Sequence, residues 1–595
     1  MYNKDPLSRV LYLDLSIKKY WIEDRSEVFR EYIGGTGAAI KLLREEVPRG
    51  ADPLSPENAI IIATGPFNGV YPMASKTVAM FKSPLTGNLG ESHAGGRSSV
   101  AIRLAGYGAI VIKGASEIPI WVSVHGNKVI FHDARALWGV RSTHTVGRVL
   151  RELETGYGFR TIMRIGRAGE KMVRYACVVV DTFRHFGRLG LGAVFGSKKL
   201  KALVVSGKGS IPIADKASFR KIYDRICDII MGTHATKKYH ELGTAENVLP
   251  LNELGALPTM NLQKTRFEYA SELSGEKLAE TYLGRRVSCA HCPVACIHLG
   301  VLREPYETEA YFYKTTFVSY DYEPIYALGT MLGVKYGAHL LKLLDAVEVY
   351  GLDAMSTGVA LAWMTEAFER GMISENETMG IRPSWGDHVS YLKAIELIVE
   401  QPNDFYSVLA KGTEHAAKVY GGENFALTFG GNEMPGYHTG PGAHLGYALG
   451  ARHSHLDSAG YSYDQKMVGK EVNVEEVVDY LIQEERWRQI LTSLVLCLFA
   501  RGVYTPQVTV EAFKPLKWEI DENDLKDIGK KIHLLKLKYK LDEGFDFSRL
   551  RFPKRIFETP TPHGKLLPEF MSEAVELYRA KISEELKQLE FTLSS

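Results

Sequence analysis

Residues 285–296 read Arg285-Arg286-Val287-Ser288-Cys289-Ala290-His291-Cys292-Pro293-Val294-Ala295-Cys296. Three cysteines stand here at C-x2-C-x3-C spacing, in a chain of 595 residues that has only 6. That spacing lets three thiolates converge on one centre from a single loop, and Pro293 helps hold the loop out of a helix. Thiolates are soft ligands that select zinc, copper(I) or iron–sulfur clusters. A tetrahedral site needs a fourth ligand. His291 or His298 would complete a Cys3His zinc site, and Cys497, distant in sequence, would complete an all-cysteine [4Fe–4S] site. Spacing alone leaves cluster and zinc both open. Cys177, in the apolar run 175–180, and Cys227, on an apolar helix face with Ile222 and Ile226, read as small buried hydrophobes.

Outward from this loop, composition narrows the function classes. The length suggests about four domains, and 45% hydrophobic with 24% charged residues is an ordinary globular balance. A net charge of +2 gives no global basic field to recruit nucleic acid or an anionic membrane. Residues 1–6 show no apolar signal region, and the longest apolar runs, such as 494–500, fall far short of the ~20 residues of a membrane span. Few, clustered cysteines imply no disulfide framework, which fits a reduced, cytoplasmic setting.

Patterning divides the chain. Up to about residue 210 it is rich in strands, predicted at 10–14, 19–23, 59–63, 77–81, 109–113, 120–124, 129–132, 161–165, 173–180 and 202–206. Helices are fewer, at 38–46, 98–105 and 143–153. The order is no regular βαβ alternation, so an α+β domain of twisted sheets is expected rather than a Rossmann fold. Gly34-Gly35-Thr36-Gly37 reads as a helix-start glycine turn more than as a dinucleotide fingerprint, because no clear strand precedes it. From about residue 215 helices dominate, at 219–231, 327–350, 356–370, 390–399, 407–419, 474–500 and 522–541, with a charged amphipathic helix from 568. A Gly/Pro-rich stretch at 428–438 marks another boundary. The resulting expectation is a β-rich domain over 1–212, a helical domain with the cysteine loop over 213–426, and a C-terminal helical domain over 427–595. No internal repeat is evident.

Several segments together resemble the aldehyde ferredoxin oxidoreductase family of tungsten enzymes. They are Asp52-Pro53-Leu54-Ser55-Pro56-Glu57-Asn58, Gly65-Pro66-Phe67-Asn68-Gly69, Lys82-Ser83-Pro84-Leu85-Thr86-Gly87, 105–111, 192–202, the cysteine triplet and Leu496-Cys497-Leu498-Phe499. They recur in the family's order through nearly the whole chain. The resemblance implies a strand-rich N-terminal domain with two mainly helical domains on it. It also implies a tungsten bis-pterin held by its own dithiolenes, a [4Fe–4S] cluster on Cys289, Cys292, Cys296 and Cys497, and Mg2+ bridging the pterin phosphates.

Residue by residue, the resemblance puts Lys76 between pterin and cluster. It puts His93, Arg184 and His185 at the phosphates and magnesium. Magnesium prefers oxygen ligands, so the two histidines would offer carbonyls. The first pterin-binding stretch corresponds to Glu348-Val349-Tyr350-Gly351-Leu352-Asp353, with glutamate in place of the family's aspartate. The second corresponds to 492–497, where aspartate and glycine are missing and Leu496 and Cys497 remain. The family's intersubunit metal pair is replaced by Lys342 and Asp345. Glu323, in Tyr322-Glu323-Pro324-Ile325-Tyr326, is the candidate acid–base carboxylate, with Glu307 and Glu309 as rivals. His455 is the candidate histidine, with His453 as alternative, and Tyr437 the candidate carbonyl-binding phenol.

The expected activity is oxidation of a small aldehyde to a carboxylic acid, with electrons leaving through ferredoxin or a dedicated iron–sulfur subunit. Segment 303–313, mixing aromatics and carboxylates, reads as an interface for that partner or as a surface loop or pocket lining. The alternatives are an aryl-CoA ring reductase of the same superfamily and a zinc-stapled interaction protein.

Overall fold

The computed structural model describes residues 5–155, 158–306 and 309–594. Its N-terminal part folds around two six-stranded sheets. The first contains β1 (Arg9–Asp14), β2 (Lys19–Asp24), β3 (Ile60–Ala63), β4 (Thr77–Lys82), β5 (Leu89–Ala94) and β6 (Ala109–Lys113), in the order β2-β1-β6-β3-β4-β5. The second contains β7 (Ile120–His125), β8 (Lys128–Asp133), β9 (Phe159–Ile165), β10 (Val178–Val180), β11 (Arg184–Phe186) and β12 (Leu200–Gly207), in the order β11-β10-β9-β12-β7-β8.

Side-chain alternation explains the layers. Leu11, Leu13, Ile60, Ile62, Ile110 and Ile112 of the first sheet meet Val122, Met163, Ile165, Leu203 and Val205 of the second in one sandwich core. The intervening Val10, Tyr12, Ile61, Ala63 and Val111 turn the other way, onto helices that include Gly35–Glu46 and Val474–Ser493. The period of two that makes a strand thus gives the first sheet two buried faces, and burying each large aliphatic contributes about 1.5–3 kcal/mol.

Adding six to each strand number of the first sheet reproduces the second in reverse order. The senses also match, since β1–β6 and β7–β12 are parallel and the remaining pairs antiparallel. The N-terminal part is therefore an internal repeat, which corrects the expectation of none. A sheet specifies which positions face inward, not which residues fill them, so two copies share topology without sharing sequence. Register carries the correspondence to single residues. One row runs Val10, Ala109, Ala63, Val78, His93. Its counterpart runs Trp121, Ala202, Arg164, Val179, His185. His93 and His185 thus occupy equivalent places on the edge strands β5 and β11.

Beyond Lys216 helices prevail, as expected, and local corrections fall on both sides of that point. The predicted strand 173–180 contracts to β10, and Ala176 bridges Leu352 instead. The predicted helix 327–350 is Tyr322–Leu328, a short turn Thr330–Leu332 and Gly337–Tyr350, interrupted where Gly333 takes a left-handed conformation (φ 68). The predicted helix 407–419 divides into Asp404–Leu409 and Thr413–Tyr420 at Gly412 (φ 112). The predicted helix 474–500 stops at Ser493. Of segment 303–313, residues 303–306 and 309–313 lie in two paired strands rather than in a loop. β13 (Leu283–Val287), β14 (Ile297–Tyr306) and β15 (Glu309–Tyr320) form a three-stranded sheet. Tyr311, Phe312 and Tyr313 are exposed on it, and the Tyr, Phe and Thr content of β15 suits a strand. No described helix is long and apolar enough to cross a membrane.

Candidate active site

The cysteine loop joins β13 to β14 and is held in an unfavourable backbone shape. His291 (φ 58), Ala295 (φ 52), Met73 (φ 64) and Val495 (φ 54) all adopt left-handed conformations, each costing about 1–3 kcal/mol unless the surroundings impose it. Those surroundings are main-chain ties from the first sheet. Ala290 N–H donates to Gly96 O (2.8 Å) and Met73 N–H to His291 O (3.0 Å). Cys497 N–H donates to Met73 O (2.9 Å) and Lys76 N–H to Val495 O (3.0 Å). Residues 73–76 thus clamp the Cys497 segment to the triplet. The glycine turn at 34–37 serves the same joint, since a Cβ on Gly35 would stand 2.3 Å from Thr492 O and one on Gly65 2.4 Å from Ser493 O.

The four thiols act on one another. Burial pushes Cys292 and Cys296 up to about 12, and Cys497 adds to both. Burial raises Cys289 too, but Arg184 and Lys76 outweigh it and hold this thiol below its ordinary value. Gly96 N–H donates to its Sγ at 3.1 Å. A Cβ on Gly95 would meet Cys289 Sγ at 2.9 Å, Arg184 Nε at 3.2 Å and Lys76 Nζ at 3.4 Å, so three charged or thiol groups converge where only glycine fits. The rival histidines are engaged elsewhere. His298 contacts Cys296 O, His240 O and Glu241 O, each at 3.1 Å, and His291 Nε2 contacts the Tyr223 hydroxyl at 3.1 Å. Among the described residues no group of three or more His, Cys, Asp or Glu side chains is placed to hold a metal ion.

Beside this loop lies a cavity of about 290 Å³. Edge strands β5 and β11 form its base. The start of helix Tyr322–Leu328, the end of helix Gly337–Tyr350 and the turn at 452–456 close it. Arg184 Nε, Arg188 Nη1, Asn432 Oδ1, Glu323 Oε1 and His455 Nδ1 line it, buried and without hydrogen-bond partners. Unpaired buried polar atoms cost about 1–3 kcal/mol each, so this mixture of donors and acceptors fits a polar ligand that offers both. The equivalent histidines each meet a carboxylate. His93 Nε2 lies 2.6 Å from Glu91 Oε1 and His185 Nε2 lies 2.7 Å from Glu348 Oε2. Burial lowers His93 to about 4. Burial raises Glu348, but His185 brings its net value below the ordinary one.

Glu323 lies in the first turn of its helix. Its Oε2 accepts from Gly436 N–H (3.3 Å), and the adjacent Tyr437 side chain acts on the carboxylate in the direction that lowers it, against burial. His455 Nε2 stands 3.2 Å from Glu323 Oε1, out of line for a hydrogen bond. Burial pushes Glu323 up to about 7 and His455 down to about 3. At neutral pH the pair is therefore a partly protonated carboxyl beside a neutral imidazole.

The structure brings Glu323, Tyr437 and His455 together and separates them from His453. That ring contacts Tyr447 O (2.9 Å) and Lys540 Nζ (3.0 Å), away from the cavity. Gly351 caps its helix with φ 74, and Leu352 lines the cavity. Asp353 also lines it, yet its carboxylate already accepts from Met355 N–H (3.0 Å), Ser356 Oγ (2.5 Å) and Arg188 Nε (3.3 Å). The Leu496 side chain is in the apolar core. Cys177, expected to be inert packing within a strand, lines the cavity from the position just before β10. Glu307 lies outside the described residues, as does the side chain of Glu309.

Sequence reasoning missed a buried ionic group beneath the cavity. Glu91 is paired with Lys536, with Arg452 Nη1 at 3.9 Å and Thr36 Oγ1 donating at 2.9 Å. Arg452 pairs in turn with Asp457 (2.6 Å). A faint signal exists, because Lys536 and Lys540 continue the inward stripe of Ile532 and His533 on helix Glu522–Asp542. Asp321, another cavity carboxyl, is pushed up by burial.

Comparison with known proteins agrees with these observations. The profile "Aldehyde ferredoxin oxidoreductase, N-terminal domain" matches residues 10–207, and "Aldehyde ferredoxin oxidoreductase, domains 2 & 3" matches residues 221–581. The tungsten-containing aldehyde ferredoxin oxidoreductase of Thermococcus kodakarensis is 33% identical over 93% of this chain and 92% of its own length. That of Pyrococcus furiosus is 32% identical over 93% and 90%. An aliphatic sulfonate oxidoreductase, WOR-like subunit, of Pyrococcus furiosus is 28% identical over 69% and 66%. Among solved structures, the active site complex BamBC of benzoyl coenzyme A reductase with 1,5-dienoyl-CoA superposes with a TM-score of 0.81 at 20% identity, covering 97% of this chain and 94% of that one. With both profiles matched in order and two full-length relatives above 30% identity, the chain belongs to the aldehyde ferredoxin oxidoreductase family.

Proposed function

We propose that the chain oxidises an aldehyde to a carboxylic acid, R–CHO + H2O → R–COOH + 2 H+ + 2 e−, and passes the electrons to ferredoxin or a dedicated iron–sulfur subunit. The observation that carries this reading is Glu323, a buried carboxyl lifted to about 7 and set between a phenol and a neutral imidazole. Arg184, which lines the same cavity, also stands beside Cys289 at Gly95.

A bound tungsten bis-pterin supplies a two-electron acceptor, and a bound [4Fe–4S] cluster a one-electron exit. Cys289, Cys292, Cys296 and Cys497 would hold the cluster, with Lys76 and Arg184 offsetting its negative charge. Arg184 and the backbones at His93 and His185 would meet the pterin phosphates and their Mg2+. Edge strands suit this, because they present backbone groups with no strand to pair. Glu348, Gly351, Leu352, Asp353 and the main chain at Leu496 would border the pterins.

The chain's own chemistry centres on one proton. Ionised Glu323 accepts it from water or from the aldehyde hydrate, and a value near 7 makes the group about half ionised at neutral pH. Gly436 N–H and the Tyr437 hydroxyl steady the carboxylate. Once Glu323 holds the proton, the Tyr437 hydroxyl is released to donate to a carbonyl oxygen, and neutral His455 adds a hydrogen-bonding group without a competing charge.

Glu323→Gln is expected to keep iron, acid-labile sulfide and tungsten while losing about 10²–10⁴-fold in aldehyde-dependent dye reduction. Near-normal turnover with full metal content sinks the assignment. The benzoyl-CoA reductase likeness supports a second reading, reduction of an aromatic acyl-CoA, which the same preparation decides when given a reduced dye and that thioester. Zinc alone in the metal analysis would favour an interaction protein stapled by its cysteines. Purification from source cells under mild conditions distinguishes a bound iron–sulfur subunit from a freely exchanging ferredoxin.

A further inference from the structure

We propose that Tyr461 is a positioning residue, whose ring, stacked on Tyr437, holds the Tyr437 hydroxyl against the Glu323 carboxyl. The proposal rests on the reading of Glu323 as the group that moves the proton. The Tyr437 main chain is fixed, since its carbonyl accepts from the Tyr447 hydroxyl (3.0 Å) and its N–H donates to Pro435 O (2.9 Å). What remains free is rotation of the ring. Three rings restrict that rotation. Tyr461 lies with centroids 4.2 Å apart and planes 17° apart, Tyr322 lies 5.0 Å away at 37°, and His455 lies 5.5 Å away at 41°. Only Tyr461 is parallel enough to act as a guide along which the phenol lies flat.

Tyr461 is itself anchored. Ala459 takes φ 48, turning the chain between the short helix His455–Ser458 and helix Gly460–Met467. A Cβ on Gly460 would meet Gly442 O at 1.9 Å, so the second helix is pressed against helix Pro441–Leu449 at the residue before Tyr461. One short segment thus carries both His455 and the ring that orients Tyr437, with the two rings 6.0 Å apart. Arg488 and Arg501 act on the Tyr461 hydroxyl more strongly than Glu323 does. Its contribution to the site is therefore the ring.

The test compares Tyr461→Phe, which keeps the ring, with Tyr461→Leu and Tyr461→Met, which remove it. Two readouts are taken on holoenzyme. One is the rising limb of kcat/KM against pH. The other, independent of turnover, is the infrared titration of the Glu323 carboxyl, isolated by subtracting Glu323→Gln. Losing the phenol's donation raises Glu323, so the ring-less variants should move both midpoints upward by roughly a half to one pH unit, a three- to tenfold loss of kcat/KM below the limb. Tyr461→Phe should match the unaltered protein. Tyr437→Phe should shift the midpoint as well, and adding Tyr461→Leu to it should shift it no further. An unmoved infrared midpoint in whichever ring-less variant folds overturns the proposal. So does a Tyr461→Phe shift as large as that of Tyr461→Leu, or additive shifts in the double variant. If the unaltered protein oxidises no aldehyde, the proposed activity fails, while the infrared midpoints still decide the role of Tyr461.

Discussion

Replacing Glu323 by glutamine should do more than stop turnover, because it should make the protein more stable above neutral pH. Burial moves this carboxyl from an ordinary 4.5 to about 7. Between those values the folded protein binds more protons at this position than the unfolded chain, so stability falls as pH rises through the window. Above 7 the full difference is lost, about 3 kcal/mol at 1.36 kcal/mol per unit. Glutamine has nearly the same shape and no proton to lose, so the variant escapes this loss. At roughly 2 cal/mol/K per residue of unfolding entropy, a chain of 595 residues converts that energy into a Tm gain on the order of 2–3 °C. Parallel melts of both proteins at pH 8 and pH 5 read it. The variant should melt higher at pH 8, and the gap should close toward pH 5. A gap independent of pH, or a variant that melts lower at pH 8, refutes the claim that burial holds Glu323 at its raised value. Catalytic groups held against their solvent preference commonly show this opposition of stability and activity.

Cys497→Ser should lower iron and acid-labile sulfide and alter the cluster's electron paramagnetic resonance, because an alkoxide is a poorer iron ligand than a thiolate. An unchanged spectrum with full iron removes Cys497 from the ligand set. Gly95→Ala places a methyl 2.9 Å from Cys289 Sγ and 3.2 Å from Arg184 Nε. It should cost about 1–3 kcal/mol and reduce iron content, and normal melting with a normal spectrum would contradict the crowding. Lys536→Met leaves buried Glu91 facing Arg452 and His93 without its lysine, at an expected cost of about 3–5 kcal/mol. Burial alone would raise Glu91, but Lys536 and Arg452 hold it well below its ordinary value. Its stabilising contribution is therefore present above 4.5 and lost as pH falls, and in the variant the acid-unfolding midpoint should move to higher pH. A midpoint that stays put counts against the pairing.

Local signals made much of the fold readable. The short turn between 14 and 19 and the alternation on either side define the β1–β2 hairpin, and the unbroken apolar run of β6 marks a strand covered on both faces. β5, Leu89-Gly90-Glu91-Ser92-His93-Ala94, was not readable. Gly, Glu, Ser and His are weak strand formers, and the segment is extended because β4 pairs with it along its whole length. The helix breaks at Gly333 and Gly412 were invisible for a related reason, since residues that a helix accepts flank each glycine and only tertiary packing selects its left-handed conformation.

The site divides along the same line between local and non-local information. Three cysteines on one loop announce themselves. The fourth thiol reaches them through Met73, a residue with no chemistry of its own, whose left-handed backbone ties His291 to Cys497. No pattern in the sequence encodes that tie, and the family resemblance alone nominated Cys497. His455 and His453 are equally plausible two residues apart, and they separate because Ser454 begins a helix whose capping box, closed with Asp457, aims one ring at Glu323 and leaves the other beside Lys540. The repeat supplies the remaining logic. Two copies of one topology place His93 and His185 in the same register on facing edge strands, giving the cavity two like anchoring walls. Reactivity needs unlike surroundings, and these come from the part of the chain that is not repeated. There Asp321 and Glu323 project from one helix start into the cavity, and Cys289 stands beside Arg184 of β11.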